Sequence, residues 1–225
     1  MSTQVVSHLG DLKEGIKQAL ASSPKKRKFE QSVEMVVVLR DVDVKKPENR
    51  INAVVVLPYA PPKKLAKVAV IASGDLALKA KEAGADIVID KDELNKIAND
   101  KKALRKLAKR YDFFLASTDL MPLVGRILGK YLGPRGKMPQ PVPPNAPVNV
   151  LIDRAKKSIR IRIKDQPHIA CRIGTESQPV EQLVENANAV LGEILKKFSA
   201  SNIGKIYFKL AMGKPVKIAR EGGKK

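Results

Sequence analysis

Short apolar runs of different texture follow one another along this chain. Near the start, Val5, Leu9, Leu12, Ile16 and Leu20 recur at steps of three and four, which predicts an amphipathic helix from Ser7 to Ala21 that Pro24 ends. VEMVVVLR (Val33 to Arg40) and INAVVVL (Ile51 to Leu57) are β-branched and read as two strands, an antiparallel pair joined by a long polar loop. PYAPP, Pro58 to Pro62, then interrupts the pattern as a linker. From Lys67 apolar strands alternate with helices: KVAVIA (67–72), a helix from Asp75 to Ala83, DIVID (86–90), a Lys-rich helix from Asn99 to Arg110, YDFFLA (111–116) and a helix from Asp119 to Tyr131.

A proline-rich loop, YLGPRGKMPQPVPPNAP (Tyr131 to Pro147), and a short helix from Asn149 to Lys157 close that stretch. The pattern of the N-terminal strands then returns in SIRIRIK (158–164), HIACRI (168–173), a long helix from Pro179 to Phe198, IYFKLA (206–211) and PVKI (215–218). Strand-helix repetition implies a small parallel sheet covered on both faces, a Rossmann-like unit. The strands near the two termini need each other to form a core. The expected fold is therefore α/β with two domains. One is a discontinuous two-layer α+β domain with an antiparallel sheet, residues 1–65 plus 157–225; the other is an inserted Rossmann-like parallel α/β domain, residues 66–156. Crossings near 58–66 and 148–157 would make a two-stranded hinge.

Composition narrows the partner. The chain has 225 residues, 44% apolar, with 43 Lys+Arg against 23 Asp+Glu, a net charge of +20. Self-repulsion of that size is relieved by a polyanion, so nucleic acid leads the partner classes. No run approaches a spanning helix and the first ten residues lack a secretory pattern, so a membrane partner falls behind. Cys171 is the only cysteine and His8 and His168 the only histidines, which leaves little material for a disulfide, a metal centre or acid-base chemistry. No metal or cofactor is expected. Two windows hold bases and no acid: Asp119 to Asp153, with Arg126, Lys130, Arg135 and Lys137, and Glu193 to Glu221, with Lys205, Lys209 and Lys214 among others.

The second window carries the strongest candidate. As a strand, KIYFKLAMGK (205–214) places Lys205, Tyr207, Lys209 and Ala211 on one face, and Ile206, Phe208, Leu210 and Met212 on the other. One face suits phosphates and bases, the other a core; a solvated strand edge with a turn glycine is the plainer reading. Gly213 has no side chain to hinder a sugar edge. Arg160, Arg162 and Lys164 alternate similarly in SIRIRIK, where a charged outer face is equally consistent. PKKRKF, Pro24 to Phe29, reads as phosphate contact beside a partly exposed Phe29, or as an aromatic that closes the core below the first helix. A nucleotide-dependent enzyme is the alternative of another class. However, the IASGDL turn (71–76) has neither G-x-G-x-x-G nor a Walker lysine, and Pro134 removes a donor from LGPRG (132–136). His168 and Cys171 would face opposite ways on a strand, and Asp86, Asp90, Asp92 and Glu93 read as a strand end and a helix start rather than a cation site.

GKYLGPRGKMP (129–139), preceded by MPLVGRIL (121–128), closely resembles the large-subunit ribosomal protein L-one family, the side-stalk proteins of the large ribosomal subunit. KFEQSVE (28–34), EAGAD (82–86) and Met212-Gly213 agree with it, so the resemblance spans nearly the whole chain. The compact N-terminus is similar to the archaeal branch. The resemblance implies a two-domain cytoplasmic protein of the ribosome, a monomer when free. It implies partners in large-subunit ribosomal RNA, exit-site tRNA and its own mRNA, release of deacylated tRNA, and translational repression. A ribosome-assembly factor of the same fold is the other reading of the resemblance. By motif, Lys28, Phe29 and Ser32 match K-F-x-x-[ST], and Met212 and Gly213 match Thr-Met-Gly with Ala211 in place of its threonine. Lys205 stands where bacterial members have serine. The expected RNA surface is thus Lys28, Phe29, Ser32, Lys205, Tyr207, Lys209, Ala211, Met212, Gly213 and Lys214, with Arg135 and Lys137 as a secondary contact or hinge.

Overall fold

The computed structural model describes residues 11–22, 27–61, 63–163 and 165–218. It divides into two compact units, Met1–Lys64 with Ser158–Lys225, and Leu65–Lys157. In the first, the order is α1 (Leu12–Ala21), β1 (Ser32–Leu39) and β2 (Asn52–Val56), then β7 (Ser158–Arg162), β8 (His168–Thr175), α7 (Val180–Leu195), β9 (Ile203–Leu210) and β10 (Val216–Lys217). Four strands form a sheet in the order β10-β9-β1-β8, and β2 pairs with β7 in a separate two-stranded sheet. β1 alternates half-buried and buried positions along its length, so Val33, Met35, Val37 and Leu39 point into the core. There they join Ile16 and Ala19 of α1, Leu183, Val190 and Ile194 of α7, and Ile206, Phe208 and Leu210 of β9.

The expected pairing of β1 with β2 does not form. β1 lies between β8 and β9, antiparallel to both, and β2 takes β7, antiparallel in register Val54↔Arg160. Runs of β-branched residues declare a strand but not its partner, because partner choice follows from which faces can be buried together. α1 begins at Leu12 rather than Ser7, with Asp11 as its N-cap accepting from Glu14 N–H at 3.0 Å; residues 7–10 and Pro24 lie outside the described residues.

The second unit runs β3 (Val68–Ile71), α2 (Asp75–Glu82), β4 (Ile87–Ile89), α3 (Lys91–Ile97), α4 (Lys101–Arg110), β5 (Phe113–Ser117), α5 (Met121–Leu132), β6 (Gln140–Val142) and α6 (Val148–Lys156). Its sheet is parallel, in the order β4-β3-β5-β6. Every residue of β3 and β5 is buried, the signature of central strands covered on both faces, in contrast to the alternation of β1. One face packs against α3, α4 and α5 through Leu94, Leu104, Leu107, Val124 and Leu128; the other packs against α2 and α6 through Leu76, Ala80, Val148 and Ile152.

The proline-rich stretch contains more than a loop. Lys137 N–H reaches Leu132 O at 2.9 Å and Gly136 N–H reaches Gly133 O at 2.8 Å, with Gly136 at φ +66°, a Schellman closure of α5. Gln140–Val142 then adds the edge strand β6 beside β5. Residues 148–156, expected within the second crossing, are helix α6 buried in this unit's own core. Ala66 N–H bonds Lys156 O at 3.0 Å, so the chain enters and leaves this unit at neighbouring points.

Candidate nucleic-acid interface

Three chain segments converge where β1 begins. Ser32 lies opposite Thr175 of β8, and Ala211 N–H, just past β9, donates to Ser32 O at 2.9 Å. The segment entering β1 carries exposed Arg27, Lys28 and Phe29, and the turn leaving β9 carries exposed Met212 and Lys214. Phe29 is 53% and Met212 59% exposed, two large apolar side chains offered to solvent at one end of one sheet. The reading of Phe29 as a core-closing aromatic is thereby excluded. Strand alternation placed Met212 in the core, but β9 ends at Leu210, whose carbonyl accepts from Gly213 N–H at 2.9 Å, and this turn takes Met212 out of the alternation.

Gly213 also eases that turn. A Cβ there would lie 3.1 Å from Leu210 Cβ, tighter than ordinary contact, with no left-handed backbone involved. Open access for a ligand and close packing against Leu210 both favour glycine here. A valine at 213 would therefore disturb the turn as well as any sugar edge set against it.

Polar side chains hold these segments together, and nothing in the hydrophobic pattern marked them. Gln31 is 1% exposed. Its Oε1 accepts from Met212 N–H at 3.2 Å, its Nε2 donates to Glu176 Oε2 at 3.2 Å, and its own N–H donates to Glu176 Oε1 at 2.9 Å. Lys64 Nζ donates to Glu30 O and, at 3.2 Å, to Ser32 Oγ. The Ser177 hydroxyl donates to Glu30 Oε1, and this bond above all, then one from Thr175, holds the Glu30 carboxyl below its usual pKa. Only the contact network, not periodicity, marks Gln31, Lys64, Glu176 and Ser177 as structural members of the site.

The outer face of the sheet divides the remaining candidates. Lys205, Tyr207 and Lys209 do share it, but Lys205 pairs with Val38 while Leu210 pairs with Val33, so Lys205 stands at the far end from Phe29 and Met212. Lys209 lies opposite Glu34 and its Nζ is 3.4 Å from Glu34 Oε2, so its charge is partly neutralised in place. Lys28, Lys205 and Lys214 form no ion pair with a described residue. In the other unit Lys137 is occupied: its Nζ donates to Ala108 O at 3.3 Å and Tyr111 O at 2.5 Å, capping the end of α4. Arg135 remains exposed. Lys164 lies outside the described residues.

The residues weighed for catalysis have other settings. Cys171 is buried and its thiol is pushed up to about 12, first by desolvation and then by Glu34, while His168 on the same strand is exposed. Asp90 and Glu93 form a capping box at the start of α3, and Asp86 accepts from Val68 N–H at 2.8 Å. A cavity of about 390 Å³ at the ends of β3 and β4 is lined by Gly74 but also by Asp90, Asp92 and Glu93, carboxylates that repel a pyrophosphate despite Lys81 and Lys91. No helix among the described residues is long and apolar enough to cross a membrane.

Comparison with known proteins gives one direction. Residues 18–214 match the Ribosomal protein L1p/L10e family. The chain is similar to the large ribosomal subunit protein uL1 of Thermofilum pendens, 73% identical over 221 residues and covering 98% of both chains. It is 50% identical over 194 residues to the protein of the same name from Pyrobaculum neutrophilum, covering 86% of each. With that of Methanocaldococcus jannaschii it is 47% identical over 203 residues, 89% of this chain and 92% of the other.

Proposed function

The chain belongs to the ribosomal protein L1p/L10e family, and from that premise we propose that it is a non-catalytic protein of the large ribosomal subunit that binds ribosomal RNA through the unit formed by Met1–Lys64 and Ser158–Lys225. The observation that carries this reading is the convergence of Lys28, Phe29, Met212, Gly213 and Lys214 at one sheet end, two exposed apolar side chains flanked by cations that no described carboxylate neutralises. Phe29 and Met212 offer surfaces for bases and sugars, and Lys28 and Lys214 supply the salt-dependent attraction to phosphates. Gln31 sets the spacing of the two halves.

In this reading the second unit is the arm of a side stalk that acts in release of deacylated tRNA, and the same RNA surface takes a message that imitates the ribosomal site. Both finer roles rest on the resemblance carried by GKYLGPRGKMP and Met212-Gly213. The test is binding of the full chain to large-subunit ribosomal RNA fragments across a salt series. Phe29→Ala should weaken specific binding by about 1–3 kcal/mol, Met212→Ala should weaken it in the same direction, and Lys214→Ala should mainly flatten the salt slope, by about one unit. Wild-type affinity and slope in all three would refute the assignment of this surface.

A further inference from the structure

Helix α4 lies in the other unit and has no part in the surface just described. Its ten residues, KKALRKLAKR, carry Lys101, Lys102, Arg105, Lys106, Lys109 and Arg110, all exposed, while Leu104, Leu107 and Ala108 turn to the core. No acid interrupts the run, and none of the six cations forms an ion pair with a described residue. A solvated helix face ordinarily mixes both signs. Lys102, Lys106 and Arg110 follow one line along the helix at steps of about 6 Å.

Beside this helix is a cavity of about 470 Å³, shared with α3 and the edge strand β4. Ile89, Ile97 and Leu107 make an apolar floor, and Lys96, Lys106 and Arg110 stand around it. Glu93 is the one carboxylate in the lining, and its Oε2 already accepts from Asp90 N–H at 3.3 Å. The Arg110 guanidinium sits 5.8 Å from the centroid of the Tyr111 ring.

We propose that this cavity takes one unstacked nucleotide of single-stranded RNA. The base lies against Ile97 and Leu107, its flanking phosphates meet Lys96, Lys106 and Arg110, and the strand continues along α4. The volume falls in the range of small-ligand sites, about 300–1,000 Å³. Apolar side chains can pack against the face of an unstacked base, and cations in a line track a phosphate backbone. An acidic peptide fits less well, because β4 has only three residues and is too short an edge to pair an added strand.

The test crosslinks the full chain to a single-stranded oligouridylate carrying 4-thiouridine and maps the attached peptides. Because mapping separates the two units, failure of the ribosomal RNA surface would leave this result readable. Crosslinks are expected within residues 96–111. Ala103→Met, which fills the cavity from its half-buried lining position, should lower them roughly tenfold with the salt slope retained. Lys106→Glu combined with Arg110→Glu should flatten that slope. Methyl NMR of Ile97 and Leu107 distinguishes the sources: shifts with uridine monophosphate show that a free nucleotide suffices, and shifts with the oligomer alone show that the strand is required. The proposal is overturned if inorganic phosphate moves the same methyls, if Ala103→Met leaves crosslinking unchanged, or if polyglutamate moves the methyls where RNA does not.

Discussion

Gln31→Met tests whether a buried amide assembles the candidate interface. Methionine keeps the length and most of the volume, so the cavity cost stays small, under about 1.5 kcal/mol. Among the bonds that disappear are one to Met212 N–H and one to the Glu176 carboxylate, at 3.2 Å each. The second contributes about 1.5–3 kcal/mol, and the first about 1 kcal/mol with a half-buried N–H left unpaired. A loss of about 3 kcal/mol is expected in urea unfolding. The chain has no tryptophan, so hydrogen exchange across residues 30–39 is a suitable probe. RNA affinity should fall about tenfold as the Met212 turn loses its fixed distance from Phe29. Gln31→Glu separates chemistry from shape: it keeps an acceptor for Met212 N–H but sets a second carboxylate against Glu176. A carboxyl set against Glu176 is expected to titrate above its unfolded value, so its contribution is intact below that unfolded value and is lost as pH rises through the folded one. Unchanged stability in Gln31→Met would show these bonds to be idle, since Ala211 N–H still holds Ser32 O at 2.9 Å. Lost stability with wild-type RNA affinity would show instead that the Met212 turn does not touch RNA.

Other consequences follow from single contacts. Gly174→Ala would put a Cβ 2.3 Å from Leu183 Cδ2 and 2.4 Å from Gln178 Oε1, which now accepts from Thr175 N–H at 2.9 Å; overpacking and the displaced amide together should cost about 2–4 kcal/mol, read by thermal or urea unfolding. Cys171, with its thiol raised to about 12 by burial, should react with a thiol reagent at neutral pH only as fast as the chain opens; prompt labelling of the native protein would contradict its placement. Glu30, held low chiefly by Ser177, contributes stability that is present above its ordinary value of 4.5 and lost as pH falls through the lower folded value. Ser177→Ala should raise that carboxyl in an NMR titration, and an unmoved titration would remove Ser177 from the network.

The two textures of the chain were readable as fold because burial acts residue by residue. Continuous apolar runs at 68–71 and 113–116 announced strands covered on both faces, and alternation in SIRIR and at 205–210 announced strands with one wet face; β1, apolar throughout 35–39, shows its alternation only in the structure. The charge excess pointed to a polyanion, and the motifs around Phe29 and Met212-Gly213 named the residues that the structure brings to one sheet end. Tertiary structure alone decided the pairing of β1 with β8 and β9 and the turn that exposes Met212. It also decided the diversion of Lys137 to the end of α4 and the amide of Gln31 that joins segments 181 residues apart. Those depend on which distant groups become neighbours. A periodic pattern records only whether a position faces water or core, so it carries no information about which partner waits there.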